Sequence, residues 1–311
     1  EETDEAILVT YGKTPVLTYH KAEVPPPAGV DPVFKRSGFI HPLCTPAGEP
    51  VTGIHPADHH HHLGLWHAWV KTRHGEDTPD FWNLKGRTGR VRYAKTIAVR
   101  TPDFEALAGL TGEDLAELPG KPVGFTVEQE HVAYKGKEKV ETVVLREQFT
   151  VTVRSADPGN LVEYVVEQKN VSDETLHLPA YRYGGCLAYR APHQWDQSNS
   201  DYLTSEGLDR TNSHQSRAKW VRMHGPTAKG TGSLTVFIDP ANHDFPQRLR
   251  TWPATSNNGA IFFNVVPIQE TPWEIKPGES IRMRYLLVAS DEKPEGKTLD
   301  TWWAEWAKSG E

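Results

Sequence analysis

Histidines concentrate in one short stretch of this sequence. Of the fifteen histidines, eight fall between His41 and His74, and those from His59 to His62 are consecutive. Imidazole rings bind transition metals and transfer protons near neutral pH, and they are costly to bury without a partner. The run is internal and passes directly into the apolar Leu65–Val70, which argues against an affinity tag. The stretch therefore predicts a site, and the alternative is a solvated loop whose histidines have no role.

The conformation of the run decides which rings can act together. On an extended segment, residues two apart point to the same side, so His59 and His61 form one pair and His60 and His62 the opposite pair. One pair can then converge on an ion or a substrate, and the carboxylate of Asp58 suits harder ions. No established metal spacing such as HExxH is present, so the metal stays unidentified. We predict catalytic roles for His59, His61 and His62, a divalent metal ion on His59 and His61, and substrate contacts from His41, Trp66 and His67.

A second polar cluster, from Tyr181 to Arg217, offers the opposite wall of a pocket. Its arginines supply planar forks that suit carboxylate, phosphate or paired hydroxyl groups. The alternative interpretation is a polar loop that Arg–Glu pairs hold in place. A weaker third candidate runs from Asn242 to Trp252, because ordinary turn residues open it. From the second cluster we predict catalytic roles for Arg182, Glu206 and His214, and substrate binding by Tyr183, Arg210 and Arg217.

Alternation of apolar and polar residues indicates that most of the chain is β-structure. Glu141–Val153 alternates clearly, but Glu147 places a carboxylate on the apolar face. Such a residue is usually at a strand end or edge, whereas one that faces a cavity would be a general acid or base. Lys297–Lys308 has the pattern of an amphipathic helix rich in tryptophan. Other strand-like runs are Ala6–Tyr11, Pro15–His20, Leu161–Gln168, Leu234–Asp239, Ala260–Val265 and Ile281–Val288.

These patterns predict an all-β fold. We expect one large antiparallel β-sandwich domain over residues 1–311, with a short helical insertion at about 101–122 and a C-terminal helix. The net charge is −7 and no basic cluster is interleaved with aromatic residues, which argues against a nucleic-acid partner. No apolar run approaches the length of about eighteen residues that a membrane span needs. Cys44 and Cys186 form either one disulfide or two free thiols.

Five motifs together resemble one protein family. They are Ser37–Leu43, Asp58–Trp66, Arg182–Gly185, Ser205–Gly207 and Pro277–Ser280. This set resembles DUF6807, a family often labelled methane oxygenase PmoA, and the resemblance covers nearly the whole chain. The most specific motif usually reads Asp-His-Pro-His-His-Arg-Gly-Leu-Trp in that family. His59, His61 and His62 match it, while His60 replaces the proline and Leu63 the arginine.

The resemblance implies a soluble, often exported bacterial protein encoded near sugar-modifying enzymes. It also implies the galactose-mutarotase-like β-supersandwich, in which histidines and carboxylates of a concave sheet face a sugar. The oxygenase label fits poorly, because the membrane subunit of that name has several spans. The first residue, Glu1, is not an initiator methionine, so we expect a processed protein of the periplasm or cell exterior, with the cytoplasm as the alternative.

We therefore predict a carbohydrate-active enzyme that acts on a sugar or keto-sugar by general acid–base chemistry. A histidine or Glu206 would remove a proton, and another histidine, Arg182 or a divalent ion would stabilise the oxyanion. Lyase, hydratase, hydrolase and epimerase reactions all fit, and no nucleotide cofactor is expected. The expected partner is a small-molecule sugar or a glycan, and the oligomeric state is left open. The alternatives are a non-catalytic carbohydrate-binding protein and, third, a metal-dependent oxidoreductase.

Overall fold

The computed structural model describes residues 1–101, 122–156 and 158–308 of the chain. Within these residues, eighteen strands form three sheets, and one α-helix follows the last strand. The predicted helical insertion at about 101–122 lies almost wholly outside the described residues. The strands are β1 Ala6–Tyr11, β2 Thr14–His20, β3 Phe39–Leu43, β4 Leu65–Ala68, β5 Arg73–His74, β6 Gly89–Arg100, β7 Val123–Lys135, β8 Val140–Ala156, β9 Gly159–Asn170, β10 Leu176–Leu178, β11 Gly185–Arg190, β12 Asp201–Thr204, β13 Trp220–Thr227, β14 Gly230–Ile238, β15 Leu249–Thr251, β16 Phe262–Val265, β17 Trp273–Ile275 and β18 Ser280–Ser290, and the helix is α1, Gly296–Ala307.

Two large antiparallel sheets pack against each other. The seven-stranded sheet has the order β1-β2-β3-β4-β11-β16-β15, and the eight-stranded sheet has the order β12-β13-β14-β18-β9-β8-β7-β6. A small third sheet has the order β17-β10-β5. Aromatic residues of the two large sheets meet in the core, where the ring of Tyr19 lies 5.1 Å from that of Phe125. The predicted all-β antiparallel sandwich is confirmed.

Strand β8 shows why the alternating pattern predicts its orientation. Leu145, Phe149, Val151 and Val153 are buried against the seven-stranded sheet, as expected for one face of a half-buried strand. Glu147 lies on the same face and is also fully buried. The carboxylate that broke the sequence pattern is therefore an interior residue in the middle of a long strand.

The C-terminal helix covers part of the outer face of the eight-stranded sheet. Leu299 and Trp306 are buried there, and Trp302 and Trp303 pack beside them. The spacing of these residues places them on one side of a helix of 3.6 residues per turn. The indole N–H of Trp303 donates to the carbonyl of Ile238 at 3.0 Å. The predicted amphipathic helix is confirmed.

Both cysteines are free and buried. Burial raises the pKa of the Cys44 thiol to about 11 and that of Cys186 well above its usual range. The sequence left the disulfide question open, and the structure answers it with two inert thiols. In the described part of the chain, α1 is too short and too polar to cross a membrane, and so is every other helix.

Candidate functional site

The histidine turn, as we call Asp58–His62, is a tight reversal of the chain rather than an extended segment. The backbone N–H of His62 donates to the carbonyl of His59 at 3.0 Å. The predicted alternation of facing pairs is therefore wrong. The ring of His62 stacks on that of His59, with centroids 4.7 Å apart, and it lies 4.7 Å from the ring of His61. Three imidazoles thus form one cluster.

Gly64 fixes the path from the histidine turn into β4. Its φ of +63° lies in the left-handed region, and a Cβ at this position would lie 2.4 Å from the carbonyl oxygen of Ile40. Its own carbonyl accepts a hydrogen bond from the backbone N–H of Arg190 at 2.8 Å. Only glycine combines this backbone angle with so close an approach.

Replacing Gly64 by alanine is therefore expected to lower the free energy of unfolding by about 2–4 kcal/mol, from backbone strain and a steric clash together. Gly136→Ala is the matched control, because Gly136 has the same φ of +63° but no atom within 4 Å of the added Cβ. Only the strain, about 1–2 kcal/mol, applies to the control. Denaturant unfolding of both variants measures the difference, and equal losses would contradict the close contact with Ile40.

The histidine turn covers one face of the seven-stranded sheet. Arg190 of β11 is paired with Phe262 of β16, and the ring of Phe262 stacks on His62 at 4.8 Å. Trp252, which follows β15, lies 4.9 Å from the ring of His59 and under the guanidinium of Arg190. The imidazoles are therefore held on an aromatic floor with a cation beside them.

Hydrogen bonds assign a tautomer to two of these rings. His59 Nδ1 lies 3.1 Å from Asp58 Oδ2, and because an ionised carboxylate only accepts, Nδ1 carries a proton, so that in the neutral ring Nε2 is the proton acceptor. Arg190 Nη1 lies 3.4 Å from His62 Nδ1, and because arginine only donates, the proton of neutral His62 is on Nε2. Arg190 also donates to Asp58 at 2.8 Å. His59 can accept a proton at its outer nitrogen, and His62 can donate one.

The charges around the site keep its groups in fixed protonation states. Burial alone would raise the pKa of Asp58, but the hydrogen bond from His59 and the charge of Arg190 lower it to about 2. Burial, followed by the neighbouring His59, lowers the pKa of His61 to about 3. Burial and the charges of its neighbours hold the pKa of His62 well below its usual range. Near neutral pH, Asp58 is ionised while His61 and His62 are uncharged.

A pair of arginines, Arg182 and Arg250, borders Tyr183 in the same part of the sheet. Their guanidinium carbons lie 5.8 and 5.1 Å from the centroid of the Tyr183 ring. Asn83 donates to the hydroxyl of Tyr183 at 3.0 Å and so holds the ring in place. Burial, followed by the charges of Arg250 and Arg182, lowers the pKa of His214, and the backbone of Thr251 acts in the opposite direction, so this ring lies near the end of β15. Of the predicted site residues, Arg182 and Tyr183 are in contact here.

The other residues predicted from the second cluster hold loops in place. Arg210 donates to the carbonyl of Gly259 at 2.6 Å, and Arg217 donates to the carbonyl of Pro246 at 2.6 Å. Glu206 is exposed on the turn after β12, where its carboxylate accepts from the hydroxyl of Ser205 at 3.0 Å. These contacts match the loop interpretation of that segment rather than the second wall of a pocket.

The substrate-binding residues predicted near the histidine run also have structural contacts. Trp66 is fully buried, 5.0 Å from the ring of His62, and therefore supports the histidine turn from below. His41 Nδ1 bonds to the hydroxyl of Thr52 at 2.9 Å. His67 is buried on the opposite face of β4 and points into the core between the sheets.

The side chain of His67 joins a buried polar network centred on Glu147. Oε1 of Glu147 accepts from His67 Nε2 at 2.6 Å and from Gln129 at 2.7 Å. Oε2 accepts from Gln168 at 2.7 Å and from His131 Nε2 at 3.0 Å. Burial alone would raise the pKa of Glu147, but the charge and hydrogen bonds of the two histidines outweigh it and hold the pKa well below its usual range. The carboxylate is ionised and fully hydrogen-bonded.

This network contains the one group of three metal-ligand residues in the described part of the chain. His67, His131 and Glu147 each offer a ligand atom, and these atoms lie within 4.8 Å of one another. Two imidazoles and a carboxylate suit a transition metal. However, four donors already occupy the carboxylate, and the buried cation of Arg36 acts on it as well, so the donor set is complete without an ion. His59 and His61, the predicted metal ligands, do not belong to this group.

Comparison with known proteins gives similarities at the level of fold. No curated protein matches the chain significantly. Slr1438 from Synechocystis is 9% identical, with a TM-score of 0.43, over 94% of this chain and 97% of that one. A galactose mutarotase-like protein from Lactobacillus casei is 13% identical, with a TM-score of 0.42, over 91% of this chain and 99% of that one.

A larger protein aligns over part of its length. The heparan sulfate lyase HepC from Pedobacter heparinus is 10% identical, with a TM-score of 0.36, over 90% of this chain and 33% of that one. These likenesses concern the chain path and say nothing about the reaction. The model of a family of unknown function, DUF6807, matches residues 6–304, which include the histidine turn and both arginines beside Tyr183. The chain belongs to the DUF6807 family.

Proposed function

We propose that the protein is a carbohydrate-active enzyme that uses His59 as a general base on a sugar or keto-sugar. The observation that carries this proposal is the Asp58–His59 pair. An ionised carboxylate bonded to Nδ1 orients the ring and leaves Nε2 as the proton acceptor, the arrangement that general-base histidines require. The side chain of His59 is 33% exposed, so a substrate can reach it.

The surroundings of His59 support a sugar as the substrate. The ring of Tyr183 is partly exposed beside Arg250, and aromatic faces pack against the apolar faces of sugar rings. The Nε2–H of His62 is a donor that can stabilise negative charge on a sugar oxygen as His59 removes a proton. Proton abstraction next to a carbonyl or an anomeric centre underlies epimerase, lyase and hydratase reactions, and the proposal covers these reaction types.

Proton exchange tests the proposal whatever the product is. The protein is incubated in D₂O with a panel of aldoses, ketoses, keto-glycosides and sugar acids, and NMR follows deuterium incorporation and product formation. We expect at least one compound to exchange or react, and His59→Ala to slow that reaction by about 10²–10⁴-fold, the usual contribution of a general base.

His60→Ala is the matched control in the same turn. The ring of His60 lies 5.7 Å from that of Phe34, and its backbone carbonyl accepts from His55. This variant is expected to keep the wild-type rate within about threefold. If His59→Ala also kept the rate, His59 would not be the base. If the panel bound without any exchange or product, the protein would be the non-catalytic carbohydrate-binding alternative.

A further inference from the structure

Arg250 is half-buried, and the described residues provide neither a carboxylate nor a hydrogen-bond acceptor for its guanidinium. Two arginines that are more deeply buried have such partners: Arg190 bonds to Asp58 at 2.8 Å, and Arg284 bonds to Asp239 at 2.8 Å. The guanidinium nitrogens of Arg250 are not fully buried, so they can donate to an acceptor that a ligand brings.

A second cation, Arg182, lies beside Arg250. Arg182 is exposed and shares the ring of Tyr183 with Arg250, without a carboxylate partner in the described part of the chain. After burial, the charge of Arg182 is the next cause that lowers the pKa of Arg250. Two like charges on one aromatic ring repel each other, and an anion between them would remove that repulsion.

The strand register places this pair next to the proposed base. Arg250 is paired with Asn264, and the pairing continues at Thr251, so Trp252, two residues beyond Arg250, follows on the same face. Two residues of extended chain span about 7 Å. Trp252 contacts the ring of His59 at 4.9 Å. An anionic group on Arg250 would therefore lie about one sugar ring away from His59.

We propose that the substrate is an acidic sugar whose anionic group binds between Arg182 and Arg250 while His59 acts on the ring. This inference rests on the proposed function for the position of the sugar ring, but not for the binding of the anion. Guanidinium forks bind carboxylate and phosphate in the same two-point manner. The shared chemistry is an oxyanion on a sugar, and a sugar acid and a sugar phosphate are the two forms to be compared.

Calorimetric titration of the protein tests this proposal. The probes are D-glucuronate, D-galacturonate and D-gluconate, glucose 6-phosphate, and the neutral sugars D-glucose and D-galactose. We expect at least one acid or the phosphate to bind at least tenfold more tightly than its neutral counterpart. Which one does so separates a carboxylate site from a phosphate site. If no anionic probe binds more tightly than its counterpart, the proposal is overturned.

Substitutions of Arg250 then test whether this residue causes the preference for the anionic probe. Arg250→Gln is expected to remove the preference for the anionic probe, while it leaves the affinity for the neutral sugar within about threefold. Arg250→Lys should retain part of the preference, because it keeps the charge and loses the fork. Arg146→Gln, at an exposed position on β8, is the control and should change nothing. A preference that survives in Arg250→Gln would overturn the assignment.

His59→Ala keeps this proposal separate from the proposed function. The variant should bind the anionic probe within about threefold of wild type while it no longer catalyses exchange. Tight anion binding without turnover in the wild type would support the anion site and refute the enzyme assignment. Turnover of neutral sugars that is undiminished in Arg250→Gln would support the enzyme assignment and refute the anion site.

Discussion

Glu147→Ala is expected to lower the free energy of unfolding by about 3–5 kcal/mol, the usual loss when one member of a buried ionic network is removed. The substitution leaves the N–H groups of His67, Gln129, His131 and Gln168 without their acceptor in a site that water does not reach. It also removes the carboxylate that compensates most of the charge on the buried guanidinium of Arg36. Unfolding in denaturant, followed by tryptophan fluorescence, measures the loss.

Two further variants test whether the buried network is the cause of this loss of stability. Glu147→Gln keeps the shape but turns an N–H₂ group towards existing donors, so it should still cost about 2 kcal/mol or more. Glu167→Gln is the control on the adjacent strand, because Glu167 is exposed and pairs with Arg282 at 3.2 Å. It should change the stability by less than about 0.5 kcal/mol. A loss below about 1 kcal/mol for Glu147→Ala would contradict the role of the network.

The same samples distinguish a hydrogen-bonded network from a metal site. Because four donors already satisfy Glu147, added zinc is expected to leave the unfolding midpoint of the wild-type protein unchanged. A midpoint that rises with zinc in the wild type, but not in Glu147→Gln, would instead identify His67, His131 and Glu147 as metal ligands.

The sequence predicts residue orientation well where one side of a strand or helix is buried and the other side is exposed. Alternation along β8 predicts which residues from Leu145 to Val153 face the core, and Glu147 stands out because it violates that alternation. Its partners do not stand out. Gln129 and Gln168 become neighbours of Glu147 only through the register of β7, β8 and β9, in which the three residues form one row. Register depends on pairings between distant strands, which a single sequence does not contain.

For the histidine turn, the sequence indicates which residues are involved but not how they are arranged. Residue types and density single out these residues as a candidate site, because so many imidazoles need partners. Their geometry follows from turn hydrogen bonds and from Gly64, and it groups His62 with His59 rather than with His60. Trp252 and Arg250 rank low in the sequence because ordinary turn residues precede them. Only the pairing of β15 with β16 brings them to the histidines.

Acidification is expected to destabilise the protein steeply, beginning near a pH of about 6.5. In the folded chain, burial lowers the pKa of several histidines, to about 4 for His41, about 3 for His61 and about 4 for His224. The unfolded chain has histidines with the ordinary pKa of about 6.5. Between these values the unfolded state binds more protons than the folded state, so the free energy of unfolding falls as the pH falls.

Each such histidine contributes a slope of about 1.4 kcal/mol per pH unit within its window. Glu147 and Asp58 act in the same direction at lower pH. Because the pKa values of both carboxyl groups are depressed in the folded state, the unfolded state binds protons first, and the free energy of unfolding falls further. Denaturant unfolding between pH 7.5 and pH 4.5 measures the slope. His61→Gln should reduce the slope by up to about 1.4 kcal/mol per pH unit, the contribution of one proton. A stability that stayed level down to pH 5 would show that these imidazoles bind protons in the folded protein as readily as in the unfolded chain. The lowered pKa of His61 in the folded protein would then be contradicted.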